Sequence, residues 1–114
     1  MGTFRLYTGP DGQGRIEKID VEHKADWLKG LPTSQISFSI WPVGRFLDWH
    51  PAPRRQYIIN LDAGVQLTAS DGESRVIGAG EVILVEDTSG KGHRGRVIGG
   101  PAQIAIAPLV GDTV

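Results

Sequence analysis

Cysteine is missing from the chain, and with it go disulfide cross-links, thiolate metal sites and a cysteine nucleophile. No charge of one sign dominates either: 12 Lys and Arg stand against 13 Asp and Glu, a formal charge of -1. Basic residues run no further than the Arg54-Arg55 pair, so the electrostatic footprint of a nucleic-acid binder is absent and no nucleic-acid partner is expected. Long apolar runs are lacking as well. No segment approaches the roughly 18 apolar residues of a membrane span, which argues against a membrane partner. The opening MGTFRLYTGPDG has charge and a turn where a signal peptide would have its apolar stretch, and the expectation is a soluble cytoplasmic protein. Helical patterning is confined to Val21 to Leu28, VEHKADWL, too short to carry architecture.

Glycine and proline, by contrast, are plentiful. The 16 glycines and 7 prolines are scattered, and they divide the chain into short runs rich in Val, Ile and Leu, the punctuation of a sandwich or barrel. A chain of 114 residues buries roughly two-thirds of the surface its unfolded form exposes. No repeat, low-complexity tract or linker interrupts it, so one domain over residues 1–114 is expected. The strands fall at Phe4 to Tyr7, Arg15 to Val21, Gln35 to Trp41, Phe46 to Trp49, Gln56 to Leu61, Val65 to Ala69, Ser74 to Ile77, Glu81 to Val85, His93 to Ile98 and Ala102 to Ala107. TGPDGQG at 8–14 and Asp71-Gly72 favour tight reversals, because glycine reaches positive φ without steric cost. LDAG at 61–64 suits a slightly longer hairpin.

Strand side chains alternate between faces with a period of two. Ile36, Phe38 and Ile40 therefore share a face, as do Phe46, Asp48 and His50, and Gln56, Ile58 and Asn60. Polar groups among apolar ones on a face suggest a lined cavity, since each would cost on the order of 1–3 kcal/mol if buried without a partner. This even-numbered face is the expected interior. The opposite stripe of Tyr57, Ile59 and Leu61 would then be apolar and outward.

One stretch, GRFLDWHPAPRRQYIINLDAG, carries a recognisable spacing. Gly44 is followed after five residues by His50; Ala52 comes next but one; Gln56 follows, or Tyr57 one residue later, and Gly64 closes the stretch. Further on, Gly80-Glu81 precedes VILV, Glu86 and Thr88, then His93 and Val97. With these residues the chain resembles a small single-domain cupin of the conserved-barrel kind. The resemblance covers about residues 35–108, with N-terminal strands over 1–34. It implies an all-β double-stranded β-helix, or jelly-roll, barrel with a small-molecule site inside. Cupins place two histidines and a glutamate in the first motif and a histidine in the second. Here Ala52 occupies the second histidine position, Gln56 or Tyr57 the glutamate position, Glu86 the proline position and Thr88 the glycine position of the second motif, and His93 lies two residues late. Gln56 is preferred over Tyr57 because it shares a face with His50.

The resemblance implies His50, Gln56 and His93 as ligands of a divalent transition metal, Fe, Mn, Ni or Zn, with positions left open for substrate. Two imidazoles and an amide bring no charge to offset a dication. Asp48 is the candidate to supply a carboxylate, and with Glu86 it is the candidate for proton transfer. Glu86 and Asp87 are adjacent at the end of an apolar strand, and a carboxyl facing the same cavity as His93 would form an acid/base pair. Three functions remain open on these residues: a metal-dependent small-molecule enzyme, a metal-free acid/base isomerase or lyase, and a non-catalytic small-ligand-binding barrel. SGKG lacks the spacing of a phosphate loop, and no G-x-S-x-G elbow presents a serine. The resemblance and the Tyr57, Ile59, Leu61 stripe together imply a homodimer.

Overall fold

The computed structural model of the protein describes residues 2–110. Its strands are β1 Thr3–Thr8, β2 Gly14–Lys18, β3 Ser37–Trp41, β4 Phe46–His50, β5 Gln56–Asn60, β6 Gly64–Ala69, β7 Ser74–Ile77, β8 Val82–Glu86, β9 His93–Ile98 and β10 Ala102–Pro108. Each occupies one of the apolar runs marked off by glycine and proline. The helical stretch becomes a 3-10 turn, Val21–His23, followed by α1, Ala25–Lys29.

Two sheets face each other, one ordered β2-β1-β8-β5-β10-β3 and the other β4-β9-β6-β7. The parallel β1/β8 pairing inserts the N-terminal hairpin into the larger sheet. Two turns reverse the chain as their glycines require. Gly12 at φ 80° and Gly72 at φ 101° hold left-handed backbone, while Asp11 and Asp71 each accept a hydrogen bond from the amide two residues on. The Gln13 amide, then the Arg15 side chain, hold the Asp11 carboxyl below its ordinary 3.8.

LDAG is not a hairpin. β5 belongs to the larger sheet and β6 to the smaller, so the segment carries the chain across the barrel edge. Asp62 Oδ1 fixes that corner by accepting from Ala63 N at 2.6 Å and Gln103 N at 2.7 Å. A short glycine-containing connection signals a bend in the chain, but it does not say which sheet receives the next strand.

Leu6 and Ile104, at 0% exposure, anchor a core between the sheets with Phe4, Leu67, Ile83 and Val97. Burying side chains of this size stabilises by about 1.5–3 kcal/mol each. β5 turns Ile58 and Asn60 inward as alternation predicts. β3 does the reverse of what its apolar residues suggest. Ser39 pairs with inward Ile104 and Trp41 with fully buried Ala102, so Phe38 and Ile40 point out. Ile36, Phe38 and Ile40 are 57%, 63% and 70% exposed. On an edge strand the ladder partner sets the parity, and the Trp41 indole fills the barrel end instead. On the outer face α1 covers part of the larger sheet, with the Trp27 ring edge-on to Tyr57 at 5.2 Å. Burial, then the Asp26 and Glu86 charges, push the Tyr57 phenol above 10.0.

Candidate functional site

His50 and His93 come together across the β4/β9 ladder, 43 residues apart in sequence yet direct cross-strand partners with ring centroids 4.5 Å apart. A bulge seats His50 there. Leu47 pairs with Gly95 and His50 with His93, three steps on β4 against two on β9, and the extra residue changes parity. Leu47 and His50 both look inward as a result. Phe46 looks outward, beneath the Arg96 guanidinium at 4.9 Å. Gly92 lets β9 approach closely: it has φ 78°, and a Cβ on it would lie 2.1 Å from the His50 carbonyl oxygen.

The two imidazoles border a cavity of about 80 Å³ between the sheets. Trp41, Arg45 and Asn60 line another part of it, and the remaining wall is mostly Ile, Leu and Val from β5 to β8 and β10. Behind His93 stands Asp87, 0% exposed. Its Oδ2 lies 2.6 Å from His93 Nδ1, while its Oδ1 has no hydrogen-bond partner. His50 Nδ1 lies 2.7 Å from the Asp48 carbonyl oxygen. A carbonyl can only accept, so the proton of His50 is on Nδ1, and the carboxylate imposes the same tautomer on His93. Each neutral ring is left with a lone pair on Nε2.

Of the residues singled out by sequence, only His50 and His93 are brought together. Gln56 is not on the cavity wall, and its Oε1 accepts from Arg54 Nε at 3.2 Å. Tyr57 faces outward under Trp27. Ala52 is buried, its amide donating to the Asp87 carbonyl at 3.0 Å. Asp48 is exposed and its carboxylate accepts from the Trp49 amide at 2.9 Å, because the bulge breaks the parity that would have grouped it with His50. Glu86 lies on the face opposite cavity-lining Val85. There it clasps Arg5 through Oε1 and Arg55 through Oε2, the latter at 2.9 Å. Desolvation pulls the Arg5 guanidinium down, but its hydrogen bonds and charge interactions with Glu86 and Glu17 carry it above its ordinary value.

Sequence reasoning named Asp87 only beside Glu86, as one of two carboxyls that could pair with His93, and Asn60 only as a residue of the inward face; it chose Glu86 of the two acids and gave Asn60 no role. Asp87 was legible by parity, since 83, 85 and 87 share a face and Ile83 and Val85 line the cavity. Asn60 Nδ2 donates to the carbonyls of Ala63 and Ile77, leaving Oδ1 buried without a partner. No pattern in the sequence foretells that arrangement.

The donors do not fit the metal that the resemblance implies. Among the described residues no third His, Cys, Asp or Glu brings a ligand atom to the His50–His93 pair; the one such cluster of three, Asp20, Glu22 and His23, is exposed on the 3-10 turn. Structural and catalytic sites for these metals use three or four protein ligands, and two neutral imidazoles leave a dication without an opposing charge.

The fold is shared with solved structures. A conserved protein of unknown function from Streptococcus pyogenes superimposes with a TM-score of 0.52 at 15% identity over 65% of this chain, which spans 62% of that one. A protein of Neisseria meningitidis gives 0.51 at 21% identity, over 81% of this chain and 99% of the other. A candidate ethanolamine utilization protein Q from Salmonella typhimurium gives 0.53 at 13% identity, over 96% and 95%. At these identities the likeness is one of fold, and the fold is an all-β, cupin-like barrel. No protein-family model matches the chain, and no curated protein matches its sequence. Among the described residues no helix is long and apolar enough to cross a membrane.

Proposed function

We propose that the protein is a small-molecule enzyme that moves a proton inside its barrel without a metal, as an isomerase or lyase does. The observation that carries this reading is the 2.6 Å contact of buried Asp87 with His93 Nδ1. Asp87 holds the ring in one tautomer and stabilises the imidazolium that forms when Nε2 takes a proton from the bound molecule. His50, 4.5 Å away, is the second proton carrier. The two rings are close enough for one to remove a proton at one atom of the bound molecule and the other to return one at another. The apolar wall keeps competing water from the reacting carbon.

The test is solvent exchange. Incubated in D2O with a panel of aliphatic aldehydes, ketones and keto acids, the protein should incorporate deuterium into at least one of them, read by NMR. Exchange should persist in EDTA and in Asp48→Asn and Glu86→Gln, and it should fall by at least about a hundredfold in His93→Gln. Loss of exchange in chelator would overturn the metal-free reading. Stoichiometric binding of panel members with no exchange would leave only a ligand-binding barrel.

A second copy of the chain is the partner this reading includes. Tyr57 is covered by Trp27 and Ile59 is half-buried, so of the outward stripe only Leu61 is well exposed, at 41%, next to the more exposed Ile36, Phe38 and Ile40. Apolar residues grouped on an edge strand favour pairing with a like surface. Sedimentation should give twice 12.3 kDa for the wild type and the monomer mass for Phe38→Asp/Ile40→Asp. A monomeric wild type would remove the dimer.

A further inference from the structure

The cavity has two chemically different ends. His50 and His93 border one. Arg45 borders the other, where its carbonyl accepts from Val97 N and the neighbouring Gly44 amide donates to Val97 O. Val97 lies four residues along β9 from His93, which at a strand rise of about 3.3 Å per residue separates the ends by about 13 Å. Asn60, paired with Ile104 opposite Ser39, stands toward the Arg45 end, as does Trp41.

Two groups near that end lack partners. The Arg45 guanidinium lies over the Trp41 ring at 4.9 Å; like Arg96, which also lines the cavity, it is exposed and makes no ion pair among the described residues, whereas Arg5, Arg15, Arg55 and Arg75 each meet a carboxylate. No Asp or Glu lines the cavity, so its charge favours an anion. Asn60 is 1% exposed and its Oδ1 accepts nothing. The amide cannot flip, because Oδ1 would then face the carbonyls of Ala63 and Ile77 that Nδ2 now serves. A buried acceptor of this kind calls for a donor from the occupant.

Resting on the reading of the cavity as the reaction site, we infer that its ligand is a slender apolar carboxylate with a hydroxyl or N–H donor near the charged head. The carboxylate meets Arg45, the donor meets Asn60 Oδ1, and the chain runs along the Ile, Leu and Val wall. The recognised head and the reacting carbon at His93 are therefore at opposite ends of the molecule.

Octanoate, octylamine and 2-hydroxyoctanoate, titrated by calorimetry and tryptophan fluorescence, test this. Octanoate should bind roughly tenfold or more tightly than octylamine, and Arg45→Gln should abolish that preference while Arg45→Lys restores part of it. 2-Hydroxyoctanoate should bind at least about threefold more tightly than octanoate. Equal binding of octylamine and octanoate, or a preference that survives Arg45→Gln, overturns the anion site; no gain from the hydroxyl overturns the role of Asn60. Charge-selective binding of 7-oxooctanoate, whose ketone would lie towards His93, without deuterium exchange beside that ketone would instead sink the proton-transfer reading and leave this inference standing.

Discussion

Asp87→Asn is expected to slow proton transfer at His93 by at least about a hundredfold while leaving the melting temperature unchanged or higher. The two effects have one origin. A carboxylate at 0% exposure, with one oxygen on His93 and the other unpartnered, is costly to bury. Its one side-chain hydrogen bond among the described residues is to His93, and an amide of the same shape removes the charge. What is lost is the counter-charge to the imidazolium. The amide can also turn its nitrogen towards Nδ1, which moves the ring proton to Nε2 and takes away the lone pair that acts as base. Deuterium exchange and scanning calorimetry on the same preparation check both halves. A variant that exchanges at the wild-type rate would make Asp87 a structural residue only; one that unfolds would show that the charge supports the core.

The strands were legible because the chain alternates and is punctuated, and both signals are local. What the sequence could not convey was parity wherever tertiary pairing overrode the residue's own preference. Phe38 and Ile40 look like core residues but are outward, since their ladder partners Ala105 and Gln103 lie on the β10 face opposite cavity-lining Ile104. Asp48 appears to share a face with His50 only if β4 is regular, and a bulge cannot be read from FLDWH. Glu86 and Asp87 were a pair of neighbours with opposite fates. Period two assigns 87, not 86, to the cavity side, and Glu86 became the outer clasp between Arg5 and Arg55. The histidines were within reach because the spacing from Gly44 and the late position of His93 are properties of the chain itself. Gln56 was not, since its partner Arg54 is a choice of side-chain conformation.

The second large effect falls on Gly92, the residue that brings the two histidines together. An alanine there would adopt φ 78° and set its Cβ 2.1 Å from the His50 carbonyl oxygen, 2.5 Å from its carbon and 2.6 Å from Pro51 Cα. All three are backbone atoms, so no side chain can swing aside, and β9 must separate from β4 at the His50–His93 rung. Gly99 is the control: it has φ 79°, and a Cβ on it would meet nothing within 4 Å. Gly99→Ala thus bears only the left-handed backbone cost of roughly 1–2 kcal/mol, whereas Gly92→Ala adds a clash that brings the loss to about 3 kcal/mol or more. Urea unfolding measures the difference, and the histidine side-chain NMR signals should shift in Gly92→Ala alone. If the two variants lose the same stability and the histidine signals stay in place, the close approach of Gly92 is not what seats the pair, and the geometry of the proposed base must be sought in the bulge of β4 instead.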